Sequence, residues 1–342
     1  MASQEEMKSR YKVAVAGDGR ISRAVLHFFN RQNSDIRAFS LKNEKDLRDA
    51  DLITGALAGE IGERCLDLAL KYRKDLVDVS DVDPEIYQAR EKEIGKSGIT
   101  VIPGCGFCPG IVNFLLGRET CSSARVLEIH VKAGSLSPQD NYFPFLWCFE
   151  DLILEHRLVS SQIILGRKKR FPAFAGYRRE KYFGIEAESY YSASGFENIL
   201  DKTGARSLTC RVVRPLGFAA FFRFSESYGL FSPERMAESK TFLERVRRAN
   251  YTLGEVEVGF PGRRIVWLLK SFSAAREKWN SMQKITASVP AAVGRLLLDG
   301  KIERKGLVFL EDLAADKTVF QALIEGVKKQ GVTIVRREKR NA

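Results

Sequence analysis

Residues 12–31 read K-V-A-V-A-G-D-G-R-I-S-R-A-V-L-H-F-F-N-R, and this stretch decides the fold. A short apolar run (12–16) has the composition of a buried strand. It runs straight into Gly17-x-Gly19-x-x-Ser22 and then into a helix-like segment over 23–31. A strand, a G-x-G-x-x-S turn and a helix nearly match the G-x-G-x-x-G/A loop that holds a dinucleotide pyrophosphate at a helix N-terminus. Gly17 permits the tight turn, and Gly19 lets backbone approach a phosphate. Ser22 stands in for the third glycine with a side chain small enough for helix–strand packing. The candidate cofactor contacts are therefore Gly17, Gly19, Arg20, Ile21 and Ser22.

The same grammar continues outward. Strands are expected at 35–40, 51–56, 76–80 and 99–102, with helices at 61–72 and 84–96. Strands alternating with helices imply a parallel, doubly wound sheet. The second strand ends in Ser40, Leu41 and Lys42, with no acid before Glu44. A carboxylate for a ribose 2′-hydroxyl is thus missing, whereas Ser40 and Lys42 suit a 2′-phosphate, which favours NADP over NAD. Ala56 and Leu57 follow the third strand and join the expected cofactor wall. Asp78 and Ser80 follow the fourth, while Asp83-Pro84 reads as a cap and first position of the next helix.

Residues 101–116, V-I-P-G-C-G-F-C-P-G-I-V-N-F-L-L, deliver a glycine- and proline-rich turn from a buried strand to a new helix. Pro109 suits the first helical position. Cys105 and Cys108 form a C-x-x-C beside that helix start, where thiols can be activated. Its position far along a doubly wound sheet argues for a cleft loop over a thioredoxin-like motif. Zinc would need two further ligands, and His27, His130 and His156 show no clustered spacing, so no metal is expected.

From residue 126 the pattern changes to a second, α+β unit. Strands are expected at 127–132, 162–165, 207–213 and 254–258, with a loop over 135–144 and helices at 149–155 and 234–248. Helical stretches are then expected at 265–284, 291–298 and 320–330, followed by a strand at 332–335. The 342 residues carry a net charge of +12, and their 44% apolar content suits a soluble globular protein. The basic runs 167–170 and 336–340 are expected as a solvated hairpin tip and a mobile tail, without a nucleic-acid motif to accompany them. No apolar run reaches 18 residues, so neither a membrane span nor a membrane partner is expected. The N-terminus lacks a signal peptide's apolar core, and six scattered cysteines suggest reduced thiols in the cytoplasm.

At this point the chain resembles the saccharopine dehydrogenase family, which joins or splits amino acids across a C–N bond with a nicotinamide cofactor. The likeness rests on the loop at Gly17 and on L-V-D-V-S-D at 76–81, similar to the family's strand ending in Asp and Ser. It continues in G-F-C-P-G at 106–110, similar to G-[LF]-D-P-G, and in the C-terminal elements V-P-A-A (289–292), G-K (300–301) and K-G (305–306). Arg214 and Gly217 fall where the family has T-x-R-Y-x-G-H. Two positions depart: Cys108 stands for the loop's aspartate, and Phe218 for the second motif's histidine.

The resemblance implies a Rossmann-type domain over 1–117 rejoined by C-terminal helices (285–336), with an α+β substrate and dimerisation domain over 118–284. It further implies a homodimer acting on a small amino-acid substrate by hydride transfer with NADP or NAD. Arg214 is the candidate carboxylate anchor, a bidentate pair being worth about 1.5–3 kcal/mol where partly buried. Gly217 is placed beside it. For proton transfer, Cys108, Asp78 and Glu155 all remain candidates, with Cys108 and Asp78 foremost. The two departures leave an alternative, a protein that keeps the fold for binding or regulation and has lost the chemistry.

Overall fold

The computed structural model describes residues 10–32, 35–121, 124–139, 142–192, 199 and 202–340. Strand β1 (Tyr11–Ala16) leads into helix α1 (Arg20–Gln32) and then β2 (Ile36–Ser40). A 3-10 turn precedes β3 (Leu52–Gly55), and α2 (Gly59–Gly62) and α3 (Arg64–Tyr72) precede β4 (Asp75–Asp78). Then come α4 (Pro84–Ala89), α5 (Glu91–Ser97), β5 (Thr100–Ile102) and α6 (Ile111–Thr120). These strands form one parallel sheet in the order β14-β5-β4-β3-β1-β2, whose last member, β14 (Gly306–Leu307), returns from the far end of the chain. Val13, Ala14 and Val15 are wholly buried, as a parallel strand covered on both faces requires. The chain steps from β1 to β2 on one side and then crosses to β3 on the other. That reversal is a topological switch point, where doubly wound sheets open a crevice at the strands' carboxyl ends.

The second half builds a mixed sheet. Its elements are β6 (Glu128–Leu136), α7 (Phe149–Glu155), β7 (Ser160–Ile164), β8 (Arg167–Phe171), β9 (Arg178–Tyr182), β10 (Ile185–Tyr191) and β11 (Ser207–Pro215). They continue with α8 (Phe218–Ser227), α9 (Met236–Glu244), β12 (Asn250–Phe260) and β13 (Arg263–Ser273). The order is β15-β13-β12-β6-β11-β10-β9, with the β7–β8 hairpin attached to β11. After β13 come α10 (Ser281–Leu298), β14, α11 (Leu310–Leu313), α12 (Lys317–Lys328) and β15 (Thr333–Arg340). Helix α10 packs on α1, β3 and β4 and also on β12 and β13, so a single helix is shared by both sheets. Gly294 makes this approach possible: a Cβ there would lie 2.8 Å from both Leu52 and Phe29.

Several sequence expectations change. Residues 265–273 are strand β13, not helix, and helix begins only at Ser281. Ile265, Trp267, Leu269, Ser271 and Ser273 are buried in alternation towards the end of the strand, the period-2 pattern of a sheet. Pro290 lies inside α10 and does not end it. The expected loop from residue 135 begins as strand, since β6 runs on to Leu136. The basic run 167–170 is not a hairpin tip but the edge strand β8. The turn before it is Leu165–Gly166, both at positive φ (53° and 75°). Residues 336–340 are no tail; they extend β15, paired with β13 from Lys270↔Thr333 to Arg263↔Arg340. Charged side chains on β8 and β15 suit edge strands, which they guard against unwanted pairing.

Candidate functional site

A cleft of about 460 Å³ opens at the switch point and is closed on its far side by the second sheet. Its first wall is the loop after β1. Gly17 has φ 121°, and a Cβ there would meet the Ala56 carbonyl at 2.5 Å, so the first and third strand loops touch through backbone alone. The Ala56 N–H donates to the Ala16 carbonyl at 2.9 Å and fixes that contact. The flank of Gly19 is open, with nothing within 4 Å of a built Cβ. Ser22 is buried, and its hydroxyl donates to the Gly19 carbonyl at 2.9 Å. Arg20 and Ile21 line the cleft, and the first turn of α1 holds no acid, so its positive end is uncompensated by a neighbour of its own. A cradle of this kind, open at Gly19 and cationic at Arg20, fits a pyrophosphate.

Ser80 and Leu57 form the next part of the wall. The Leu57 N–H donates to Ser80 Oγ at 3.0 Å, the Ser80 N–H to Asp78 Oδ1 at 2.8 Å, and the Tyr87 hydroxyl to Asp78 Oδ2 at 2.7 Å. Asp78 is therefore spent beneath the cleft. It is fully buried, and burial pushes its pKa up against those hydrogen bonds. It tops β4 and ties three loops together, but it does not reach the cleft, which corrects its expected place in the reacting centre. Ser40 and Lys42 lie at the end of β2, outside the cleft wall, where Glu44 is taken up by Lys71 at 2.6 Å.

The third part is the loop 104–110. Gly106 donates to the Pro109 carbonyl at 3.1 Å, and Ile111 to the Gly106 carbonyl at 3.0 Å. Gly110 has φ 141° and packs so tightly on Gly106 that only glycine fits. Pro109 does not open the helix as expected: it follows a cis peptide, and Gly110 caps α6, which starts at Ile111. The two cysteines part company. Cys105 is wholly buried, its thiol donating to the Ile102 carbonyl at 3.2 Å and pushed well above its ordinary pKa by burial. Cys108 faces the cleft. No disulfide joins them.

The opposite wall comes from the second sheet. Arg214 is nearly buried; its Nη2 donates to Glu155 Oε2 at 2.7 Å and its Nε to His156 Nε2 at 3.3 Å. Trp147 and Phe218 stack near the guanidinium at 5.2 and 5.8 Å. His156 donates from Nδ1 to the Leu152 carbonyl at 2.7 Å, which leaves Nε2 as the acceptor that Arg214 needs. Burial first, then Arg214, holds His156 at a pKa of about 4, so it is neutral. Its ring lies 5.0 Å from that of Phe218, so the histidine that caps α7 occupies the surroundings of the position where the resembled motif ends in histidine. Gly217 is elsewhere: it caps α8 at φ 93°, and its N–H donates to the buried Glu188 at 2.8 Å, away from the cleft.

Two groups escaped the sequence reading. His156 carries no motif, and Asp81 stands in the sequence only as the last residue of the L-V-D-V-S-D run. Asp81 lines the cleft and is exposed to the solvent within it. The protein packed around its carboxyl first, then the charges of Asp151, Glu155 and Asp83, raise its pKa to about 7. Lys240 and Glu244 of α9 also reach the cleft, Lys240 bonded to Glu150 at 2.9 Å and Glu244 paired with Arg20. Among the described residues no group of three or more His, Cys, Asp or Glu side chains could hold a metal ion, and no helix is long and apolar enough to cross a membrane.

A doubly wound sheet with a glycine-loop cleft at its switch point, closed by a mixed sheet, defines a two-sheet Rossmann-type architecture. No family model matches the chain, and no curated protein matches its sequence. Apo saccharopine dehydrogenase (L-Glu forming) from Saccharomyces cerevisiae superposes with a TM-score of 0.74 at 15% identity, covering 96% of this chain and 100% of that one. The DAP dehydrogenase of C. glutamicum in complex with DAP gives 0.49 at 14% identity, covering 93% and 99%. An engineered D-amino acid dehydrogenase bound to NADP+ gives 0.46 at 15%, covering 92% and 99%. The first of these likenesses fixes the fold as that of saccharopine dehydrogenase, in agreement with the resemblance read from the motifs.

Proposed function

We propose that this chain is an NAD(P)-dependent oxidoreductase acting at the C–N bond of an amino acid or opine-like conjugate. The observation that carries the reading is one cleft in which a dinucleotide-type glycine loop faces a nearly buried arginine. A nicotinamide dinucleotide supplies the hydride acceptor or donor when bound. Gly17, Gly19, Arg20, Ile21 and Ser22 would hold its pyrophosphate, and Ala56, Leu57 and Ser80 the stretch towards its reactive end. Ser40 and Lys42, with Glu44 already paired to Lys71, favour a 2′-phosphate and hence NADP.

Arg214 orients the substrate. Glu155 and His156 take two of its five donors, and its Nη1 makes only a long 3.5 Å bond to the Val213 carbonyl, so donors remain for a carboxylate. Cys108 forms the wall beside the reacting carbon. Asp78 holds Ser80 and Leu57 in place from below, and Gly217 supports Arg214 indirectly, through the end of β11. Residues 1–117, rejoined by the chain from 285, form the nucleotide half and residues 118–284 the substrate half. The half-open face of β13 and β15, with Phe272 and Val335 about 40% exposed, is a surface for a homodimer, and a cytoplasmic location goes with this reading.

Fluorescence titration with NADPH and NADH tests the reading. Saturable binding is expected, tighter for NADPH; binding of neither would overturn it. Binding without turnover of any secondary-amine conjugate would favour a second reading, a nucleotide-binding protein without catalysis, which Cys108 in place of the loop aspartate motivates.

A further inference from the structure

We propose that Asp81 is the proton-transfer residue of this cleft, exchanging a proton with the substrate nitrogen. The inference rests on the oxidoreductase reading above and assigns the step that Asp78 and Cys108 leave vacant. Asp78 is sealed below the floor by Ser80 and Tyr87. His156 is locked between Leu152 and Arg214 and stays neutral. Cys148, also in the cleft wall, has its thiol pushed up to about 12 by burial. Glu155 is committed to Arg214 and Ser192.

Asp81 differs from all of these. It faces the cleft from the loop that follows β4, one residue beyond Ser80, and among the described residues no side chain hydrogen-bonds its carboxylate. Its backbone is pinned: a Cβ on Gly59 would lie 2.6 Å from the Asp81 carbonyl, and one on Gly62 would press on Val82 and Ser80. Asp151 and Glu155 oppose it from α7, and Asp83 from its own loop. The cations of the cleft are already engaged, Arg214 by Glu155, Lys240 by Glu150 and Arg20 by Glu244, while Arg23 donates to the Gly19 carbonyl and Arg211 to the Ser189 hydroxyl and carbonyl. The protein packed around the carboxyl, with the charges of Asp151, Glu155 and Asp83, holds its pKa at about 7, where a carboxyl can both take and return a proton near neutral pH.

In the oxidative direction the Asp81 carboxylate takes a proton from the substrate ammonium, breaking N–H and forming O–H. With a nicotinamide dinucleotide bound, the cofactor would supply the hydride acceptor for the carbon, and the lone pair freed by Asp81 would be available for the second bond of C=N. The reverse sequence returns the proton to nitrogen.

Two measurements on the intact protein test this. With carboxyl-13C aspartate, one resonance should titrate near 7, vanish in Asp81→Asn, and move to lower pH in Asp151→Asn. With saccharopine and other secondary-amine conjugates plus NADP+, kcat/KM should climb with pH and level off above about 7. Asp81→Asn should lower kcat about 100-fold or more and abolish that limb, with NADPH affinity unchanged. A missing resonance near 7, or a limb that survives in Asp81→Asn, overturns the proposal alone. Absence of turnover by the unsubstituted protein across the panel overturns the oxidoreductase reading and this assignment with it.

Discussion

Gly17 bears the cleft's sharpest steric demand, because φ 121° and a 2.5 Å approach to Ala56 leave no room for a side chain. Gly17→Ala should abolish measurable NADPH binding in a fluorescence titration while leaving a folded circular-dichroism spectrum. Backbone strain of roughly 1–3 kcal/mol is local and survivable, but the pyrophosphate turn is not. On the opposite wall, Arg214→Ala should raise the KM for a carboxylate substrate steeply and leave nucleotide affinity alone. His156 ties that wall to pH. Its folded pKa of about 4 lies below its unfolded value of 6.5, so between these pH values the unfolded chain binds a proton that the folded chain refuses. Stability is therefore lost as pH falls from about 6.5 to 4, on the order of 3 kcal/mol. Urea unfolding at pH 7 and pH 4.5 measures it, and His156→Phe should flatten the difference. Gly17 and Gly19 were legible because a local turn dictates them. His156 and Asp81 were not: His156 meets Arg214 only across 58 residues, and Asp81 acquires its environment from α7.

Helix α9 buries none of its residues, yet Lys240 and Glu244 reach into the cleft. Few apolar contacts hold it, so it belongs to the least stable part of the molecule. Its pair with Arg20 bridges the two halves at the first turn of α1. On the proposed reading, a nucleotide phosphate would compete with Glu244 for that guanidinium. Glu244→Gln should therefore tighten NADPH binding by about two- to fivefold, the equivalent of a partly exposed ion pair of roughly 0.5–1 kcal/mol. An unchanged Kd would show that Arg20 does not exchange partners. Strand and helix periods explain which elements could be read in advance. The parallel strands of the first sheet are short and largely apolar, and glycine turns follow β1 and β5. In β13 the alternation of I-V-W-L-L-K-S-F-S is blurred by Val266 and Leu268, and the same run therefore passes for a helix. In β15 five charged residues mask a strand that only its partner β13 makes evident.

At the scale of the molecule, the chain leaves the first sheet at α6, builds the second, and returns through α10 and β14 before ending again in the second sheet as β15. This double crossing was only half legible. The first domain's return follows from motif resemblance, whereas the final strand's destination depends on pairing 60 to 80 residues away. The ends are also stitched: Glu119 of α6 accepts from Trp267 of β13 at 2.8 Å and from Arg336 of β15 at 3.1 Å. With α10 packed on both sheets, neither half can lose its core without exposing the other's. The two should thus unfold in one cooperative transition, with far-ultraviolet dichroism and tryptophan fluorescence coincident. All three tryptophans, at 147, 267 and 279, lie in the second half, whereas dichroism also reports the helices of the first. Truncation after Gln330 puts the argument at risk. It removes β15 and the buried Val332 and Ile334, a loss on the order of 3–6 kcal/mol from those side chains alone. Both signals should then shift together by on the order of 10 °C or more. A truncated chain whose fluorescence melts early while its dichroism keeps the original midpoint would mean that the sheets are independent, and that the nucleotide half stands without its partner.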